Sequence, residues 1–209
     1  MCANSYSSVS GPDMSRGPEL VGELVRLRPI EARDADRLWE SLQDPESMRL
    51  TGTTRTFSRS EIDEWARTIS DQESRFDFAM TSLMPTPTGE VSDDLIGEIV
   101  INDIDAATHS ANIRLQSLPA YRGRGYGREA LELILGFVFA PEPEGVGLHR
   151  LSLDVLSINP RARMLYESLG FVLEGTLRDA ALDGDSYCDV HVMSLLDQDY
   201  EALSNPGSD

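Results

Sequence analysis

The chain contains no lysine: its 18 basic residues are all arginines, set against 36 acids, and the net charge is −18. A P-loop nucleotide site needs a Gly-Lys-Ser/Thr sequence, so the absence of lysine excludes that class. Nucleic-acid binding needs basic patches that neutralise phosphates, and the excess of acids argues against it as well. The acidity could attract a cationic substrate over long range, although a generally acidic, soluble surface is the simpler interpretation.

Cysteine, histidine and long apolar runs are also scarce. Only Cys2 and Cys188 are present, too few for a disulfide framework, which predicts a reducing, cytoplasmic setting. The sequence contains no run of 18 apolar residues, so no transmembrane helix is predicted. The N-terminus lacks the basic and apolar regions of a signal peptide. His109, His149 and His191 lie apart from any cysteine or acid spacing typical of a metal site, so no metal is predicted.

The length of 209 residues fits one α/β domain between two tails. Residues 1–20 are rich in Ser, Gly and Pro and show no hydrophobic periodicity, which predicts a disordered tail. The periodic patterns occupy residues 21–200 without an internal repeat, and residues 201–209 form a second predicted tail. We therefore expect a single domain over residues 21–200.

Hydrophobic periodicity predicts an alternation of strands and helices. Helical patterns occupy 31–43 and follow Ser58, Gly127 and Asn159. The alternation in the centre of the chain indicates at least one parallel crossover, and hairpin-like neighbours indicate antiparallel pairs, so we expect a mixed sheet with helices on both faces. The predicted strands are 24–30, 76–83, 95–104, 112–118, 150–156, 171–178 and 187–196.

A glycine-rich loop in the middle of the chain joins a strand pattern to an apolar helical pattern. Gly123, Gly125 and Gly127 would let the backbone approach a ligand closely, and the following helix start would present free N–H groups to a phosphate. A dinucleotide fingerprint is excluded because its third glycine is replaced by Arg128. What remains is Arg122-x-x-Gly125-x-Gly127, and a tight turn without a ligand is the alternative interpretation.

Three stretches carry a resemblance to one family. The motif R-G-R-G-Y-G at 122–127 resembles the pyrophosphate-binding motif Gln/Arg-x-x-Gly-x-Gly/Ala of the GNAT superfamily of acetyl-CoA-dependent N-acetyltransferases. The segment N-P-R-A-R-M-L-Y-E-S-L-G-F at 159–171 resembles the second signature of that family. The ending at 174–196 resembles the branch that includes ribosomal-protein-alanine N-terminal acetyltransferases. This resemblance implies a GNAT acetyltransferase domain, α/β in class, with a mixed, mostly antiparallel sheet of about six to seven strands.

The resemblance implies acetyl-CoA as co-substrate, no metal, and a cofactor site along the strand, loop and helix. Backbone groups of Leu115, Gln116 and Ser117 would hold the pantetheine arm as an added strand, unless they serve strand pairing alone. Backbone N–H groups of the loop would hold the pyrophosphate, and its arginines would add charge or else remain solvated. The loop residues implied are Arg122, Gly123, Arg124, Gly125, Tyr126, Gly127 and Arg128.

Three further residues are candidates for the reacting end. Asn159 would contact the cofactor near its thiol, although helix capping explains it too. Tyr166 matches the tyrosine that faces the CoA sulfur, with a core aromatic as the alternative. Some family members carry a catalytic glutamate near the position of Asn112, and an asparagine cannot act as a base. Glu98, on the preceding strand, is therefore the best candidate base. The alternative is that Glu98 is an acid on the solvent-facing side of its strand. An α-amine, with a pKa near 8, needs little help and could use water.

We therefore expect an N-acetyltransferase that transfers acetyl to a primary amine by direct attack in a ternary complex. The branch resemblance favours a protein N-terminal α-amine, and a small amine is the next candidate. No nucleic-acid or membrane partner is expected, and a homodimer is left open. The rival is a non-catalytic acyl-CoA-binding or regulatory domain. Acceptor loops differ between proteins of one fold, so the sequence does not identify the acceptor.

Overall fold

A sheet of eight strands forms the centre of the computed structural model, which describes residues 16–72, 74–86 and 88–204. Its strands are β1 (Leu20–Val21), β2 (Val25–Pro29), β3 (Phe76–Ser82), β4 (Leu95–Asp105), β5 (Ser110–Ser117), β6 (Arg150–Leu156), β7 (Val172–Asp183) and β8 (Ser186–Leu196). They lie in the order β1-β2-β3-β4-β5-β6-β8-β7, and only β5 and β6 pair in parallel.

Helices cover both faces of the sheet. They are α1 (Ala35–Ser41), α2 (Pro45–Leu50), α3 (Arg59–Thr68), α4 (Tyr126–Phe139), α5 (Pro160–Glu167) and α6 (Asp197–Ser204). The chain passes through α4 between β5 and β6, and this helix supplies the long crossover that a parallel pair requires. The predicted mixed, mostly antiparallel sheet with helices on both faces is confirmed.

Two apolar clusters occupy the opposite faces. The larger joins α4 and α5 to the sheet, and the smaller joins α1 and α3 to it. Successive side chains of a strand point to opposite faces, and β3 shows this directly: Phe78 belongs to the larger cluster and Ala79 to the smaller. Glu98 of β4 pairs with Ala79 and therefore points to the α1 face of the sheet.

The eighth strand differs from the prediction of about six to seven. It is β1, whose two residues pair antiparallel with β2 and are too few to show a periodicity. The six-residue α2 was not predicted either. Helix α6 continues to Ser204, beyond the predicted tail boundary, because the Tyr200 ring stacks on Phe139 with 5.1 Å between centroids. Residues 1–15 and 205–209, which carry most of the two predicted tails, lie outside the described residues.

Glu129, in the first turn of α4, connects this helix to the start of β2 and the two residues before it. Its Oε1 accepts the N–H of Glu23 at 2.8 Å, and its Oε2 accepts those of Leu24 and Val25 at 2.7 Å each. Hydrogen bonds to a carboxylate are stronger than those between neutral groups. Leu24 also lies close to the residue before α4, since a Cβ at Gly125 would be 3.2 Å from Leu24 Cδ1. The start of α4 therefore lies against the chain that leads into β2.

We expect Glu129→Gln to lower the free energy of unfolding by about 2 kcal/mol, because an amide NH2 cannot accept the N–H groups that a carboxylate oxygen accepts. Glu132→Gln is the matched control on the same helix: Glu132 is half exposed and meets Arg128 at 3.5 Å, so its loss should cost about 0.5 kcal/mol at most. Urea unfolding of both variants measures the difference. Equal losses would show that Glu129 does not anchor the helix.

Candidate active site

Strands β5 and β6 separate after a short parallel pairing. Ser110–Asn112 pair with Arg150–Ser152, while β5 continues to Ser117 and β6 to Leu156. Among the described residues no strand lies between these two ends, so their facing edges border an open gap. A ligand can bind such a gap as an added strand, through backbone hydrogen bonds.

The loop after β5 presents free backbone donors at one end of the gap. Within the described residues, the N–H groups of 123–127 donate to no protein acceptor, whereas those of Arg128 and Glu129 donate to the Gly125 carbonyl at 3.0 and 3.1 Å. Gly123 and Gly125 adopt φ angles of +76° and +92°, where a side chain would be strained. The positive end of the α4 dipole adds to these donors, so the loop can hold an anion.

The last residues of β5 line the gap on its other side. Leu115 packs beneath the start of α4, since its Cδ2 lies 3.4 Å from the position of a Cβ at Gly127. Gln116 donates from Nε2 to the Ser41 carbonyl of α1 at 3.5 Å. The Ser117 carbonyl accepts the Arg122 Nε–H at 3.2 Å, so that carbonyl is already occupied.

The Arg122 side chain is engaged within the protein rather than free at the loop. Its Nη2 donates to Asp44 Oδ2 at 3.0 Å and to Ser47, and its Nη1 donates to Glu46 at 3.1 Å. Asp44 caps α2 by accepting the Ser47 N–H at 2.9 Å. Hydrogen bonds from Ser47, followed by the Arg122 guanidinium, hold the pKa of Asp44 below its ordinary value. Arg122 therefore joins α2 to the loop.

Helix α2 crosses the gap on the α1 face of the sheet. One end is held by Arg122, and near the other end Arg49 Nη2 donates to Asp183 Oδ2 of β7 at 2.8 Å. Just after the helix, a Cβ at Gly52 would lie 3.5 Å from Leu156 Cδ1 at the end of β6. The helix is thus held by residues on both sides of the gap and covers the gap on this face of the sheet. The signal for it in the sequence is Asp44 followed by Pro45, an N-cap and a first-turn proline.

Glu98 lies on the α1 face of the sheet, opposite Gln116 in the register of β4 and β5. Glu98 is half-buried, and no described group hydrogen bonds to its carboxyl group. Burial, and next the charge of Asp77, raise the pKa of Glu98 to about 7, while Arg114 and Arg75 act in the opposite direction. A carboxyl that titrates near neutrality can accept a proton from an amine.

Asp77 is the buried acid beside Glu98 on the same face of the sheet. It pairs with Val100, two residues along β4 from Glu98. Arg75 binds it in a bidentate pair, with Nε and Nη2 at 2.6 and 2.7 Å from the two carboxylate oxygens. Burial raises the pKa of Asp77 above its ordinary value, and the Arg75 hydrogen bonds oppose that shift.

Tyr166 of α5 belongs to the larger apolar cluster and so approaches the sheet from the opposite face. Its side chain is 8% exposed, and its ring meets Phe171 edge to face with 5.9 Å between centroids. Burial raises the pKa of Tyr166 to about 12, so the hydroxyl keeps its proton at neutral pH. No described group hydrogen bonds to that hydroxyl, which leaves it able to donate.

The other candidate residues have structural contacts. Asn159 caps α5, since its Oδ1 accepts the Ala162 N–H at 3.1 Å. The Tyr126 side chain is buried, and its hydroxyl accepts a hydrogen bond from Ser82 at 3.1 Å, so only its backbone faces the loop. Arg128 binds Ser168, and Arg124 is exposed.

One arginine near the loop was not anticipated. Arg161 of α5 extends towards the loop, and a Cβ at Gly123 would lie 2.8 Å from its Nη2. No local pattern in the sequence predicts this contact, because it joins two distant segments of chain. In the described part of the chain, no three His, Cys, Asp or Glu side chains are grouped to hold a metal, and no helix is long and apolar enough to cross a membrane.

Residues 25–172 match the family model described as the acetyltransferase (GNAT) domain, and the chain belongs to that family. It is accordingly an N-acetyltransferase with acetyl-CoA as its co-substrate. The free donors of residues 123–127 fit the pyrophosphate of that co-substrate, because phosphates bind at glycine-rich helix starts.

Relatives of different specificity share this family. The uncharacterized N-acetyltransferase p20 of Bacillus licheniformis is 27% identical over 186 residues, covering 87% of this chain and 97% of the relative. Spermidine N(1)-acetyltransferase of Vibrio cholerae is 32% identical over 107 residues, covering 51% and 60%. The provisionally named ribosomal N-acetyltransferase YdaF of Bacillus subtilis is 24% identical over 190 residues, covering 87% and 96%.

Among solved structures, spermidine N-acetyltransferase of Vibrio cholerae, in complex with CoA and spermine, superposes with a TM-score of 0.72. It is 25% identical, and the match covers 85% of this chain and 98% of that one. The ribosomal-protein branch stays a prediction, because the relatives include both kinds of enzyme.

We expect Gly125→Ala to weaken CoA binding by about tenfold, because a Cβ at this φ costs about 1–3 kcal/mol of strain and presses on Leu24, which shifts the loop donors. Gly89→Ala is the matched control, since Gly89 has a similar φ of +86° and no atom within 4 Å of the added Cβ. Calorimetric titration with CoA measures both. Equal affinity of the two variants for CoA would contradict a cradle built on the Gly125 backbone.

Proposed function

We propose that this N-acetyltransferase acts on a primary amine, which attacks acetyl-CoA directly in a ternary complex. The observation that carries the proposal is the position of Glu98: a carboxyl with a pKa of about 7 lies opposite Gln116, on the strand that borders the gap. Tyr166 approaches from the other face with a protonated hydroxyl. A base and a hydrogen-bond donor on opposite faces suit an amine on one side and a leaving thiolate on the other.

In the proposed reaction, Glu98 and Tyr166 each have one role. Glu98 accepts a proton from the acceptor ammonium, directly or through a water molecule, and the freed nitrogen lone pair forms the new C–N bond. The C–S bond then breaks, and its electron pair leaves with the sulfur. The nitrogen still carries one proton more than the amide product, and that proton passes to solvent water. Tyr166 stabilises that thiolate by a hydrogen bond. Full proton transfer from a tyrosine of pKa about 12 to a thiolate of about 8.5 would be uphill by about 5 kcal/mol.

Backbone groups hold the donor for this attack. The N–H groups of residues 123–127 bind the pyrophosphate. The edge of Leu115–Ser117, apart from the Ser117 carbonyl that Arg122 occupies, orients the pantetheine arm as an added strand. Asn159 keeps α5 in place through its cap, which sets the position of Tyr166 one helix length further on. Holding both reactants in one geometry removes much of the entropic cost of a bimolecular attack.

The pKa of Glu98 favours a protein N-terminal α-amine as acceptor. An α-ammonium has a pKa of about 8, so passing its proton to Glu98 costs about 1.4 kcal/mol, whereas an alkylammonium of about 10.4 would cost about 5 kcal/mol. A polyamine is the second candidate. The likeness to spermidine N-acetyltransferases favours it, and the net charge of −18 would attract it.

Thiol release from acetyl-CoA, measured against an amine panel, tests the acceptor. We expect turnover with lysine-free peptides that have a free N-terminus and none with the same peptides blocked at the N-terminus. Turnover with spermidine and spermine alone would replace the first candidate by the second. Tight CoA binding without turnover on any amine would instead support a non-catalytic acyl-CoA-binding domain. The cytoplasmic setting and a homodimer stay predictions.

The pH profile tests the base. We expect kcat/KM to rise with pH through about 7, because Glu98 accepts a proton only when ionised, and Glu98→Gln to lose that limb and about a hundredfold or more in rate. Tyr166→Phe is the comparison variant: it should lower kcat yet keep the limb, since it leaves the base intact. A Glu98→Gln profile that still rises through pH 7 would remove Glu98 from this role.

A further inference from the structure

Arg161 places a positive charge against the glycine loop from across the gap. A Cβ at Gly123 would lie 2.8 Å from its Nη2 and 3.8 Å from its Cζ, so the end of the guanidinium, rather than the aliphatic stem, faces the loop backbone. The neighbouring N–H groups of 123–127 have no described protein acceptor. Two kinds of free donor, amide and guanidinium, therefore lie side by side.

This guanidinium is free while its neighbours are engaged. Among the described residues Arg161 has no ion pair or hydrogen bond, and its side chain is exposed. Arg122, the arginine of the loop motif, is bound to Asp44 and Glu46 of the α2 segment. Arg163, two residues further along α5, is bound to Glu167 at 2.8 Å. A cation without a counter-ion beside free amide donors is the arrangement that an anion would complete.

We propose that Arg161, and not the motif arginine Arg122, supplies the charged hydrogen bonds to the pyrophosphate of CoA. The proposal rests on the acetyl-CoA site and on no particular acceptor. A guanidinium offers a planar fork of donors that matches two phosphate oxygens, and the loop amides bind the remaining oxygens. Arg122 keeps a structural task, since it fastens α2 to the loop.

Such a contact also links binding to the reacting end of the site. Arg161 lies on α5, between its cap Asn159 and Tyr166. A phosphate held between Arg161 and the loop would fix α5 against the start of α4, on the two sides of the gap. Arg161 is thus a binding residue for the pyrophosphate and, through α5, a positioning residue for Tyr166.

Calorimetric titration with CoA and with dephospho-CoA, which lacks only the 3′-phosphate, tests the assignment. We expect Arg161→Gln to weaken binding of both ligands by about tenfold to a hundredfold, since a charged hydrogen bond is lost. Arg161→Lys should recover part of the loss, because it keeps the charge without the fork. The slope of log Kd against log salt concentration should become shallower in Arg161→Gln, because one phosphate contact is missing.

Arg163→Gln is the matched control, because it removes one positive charge from the same helix at a residue already paired with Glu167; we expect less than a twofold change in Kd. The thermal midpoint of ligand-free Arg161→Gln should equal that of the unaltered chain. An Arg161→Gln variant that binds CoA within twofold of the unaltered chain would overturn the proposal, as would an equal loss in Arg163→Gln. A loss that disappears with dephospho-CoA would move the contact to the 3′-phosphate and refute the pyrophosphate assignment. Turnover is not needed for any of these results, so a failure of the proposed function would be seen separately.

Discussion

The divergence of β5 and β6 is the constraint on which the site depends. A parallel pair needs a crossover helix, and α4 supplies it, so the loop that begins this helix must stand at the end of β5. Because the strands stop pairing after Asn112, the end of β5 keeps an edge that no strand of the described residues covers. Backbone groups left without partners bind readily to a ligand, and the glycine loop adds further free N–H groups at the same place.

The proposed base and the proposed hydrogen-bond donor lie on opposite faces of the sheet. On the α1 face, burial and the charge of Asp77 bring the pKa of Glu98 to about 7. On the α4 face, Tyr166 is embedded in the apolar cluster and holds its proton. In the proposed function, the gap between β5 and β6 gives both groups access to one bound thioester. Helix α2 is joined to the loop through Arg122 and to β7 through Arg49, so one structural element contacts both sides of the gap.

Local patterns in the sequence predict what is local in the structure. The cap at Asn159, the glycine loop and the alternation of strands follow from neighbouring residues, and the fold class follows from their order. Long-range contacts do not: nothing near Arg122 indicates that α2 binds it, and nothing near Arg161 indicates that it reaches Gly123. The raised pKa of Glu98 likewise depends on burial and, after that, on the charge of Asp77, which the register of β3 and β4 brings close. A motif indicates which residues belong to a site. The fold decides which of their side chains are bound by other residues and which remain available to a ligand.

Amide hydrogen exchange with and without CoA tests most directly whether the gap between β5 and β6 is the donor site. The N–H groups of residues 123–127 have no acceptor among the described residues and should exchange fast in the free chain. Bound CoA should slow their exchange strongly, and that of residues 115–117, while β7, an edge strand outside the gap, changes little. Exchange at 123–127 that stays fast under saturating CoA, with protection elsewhere, would contradict this assignment of the site.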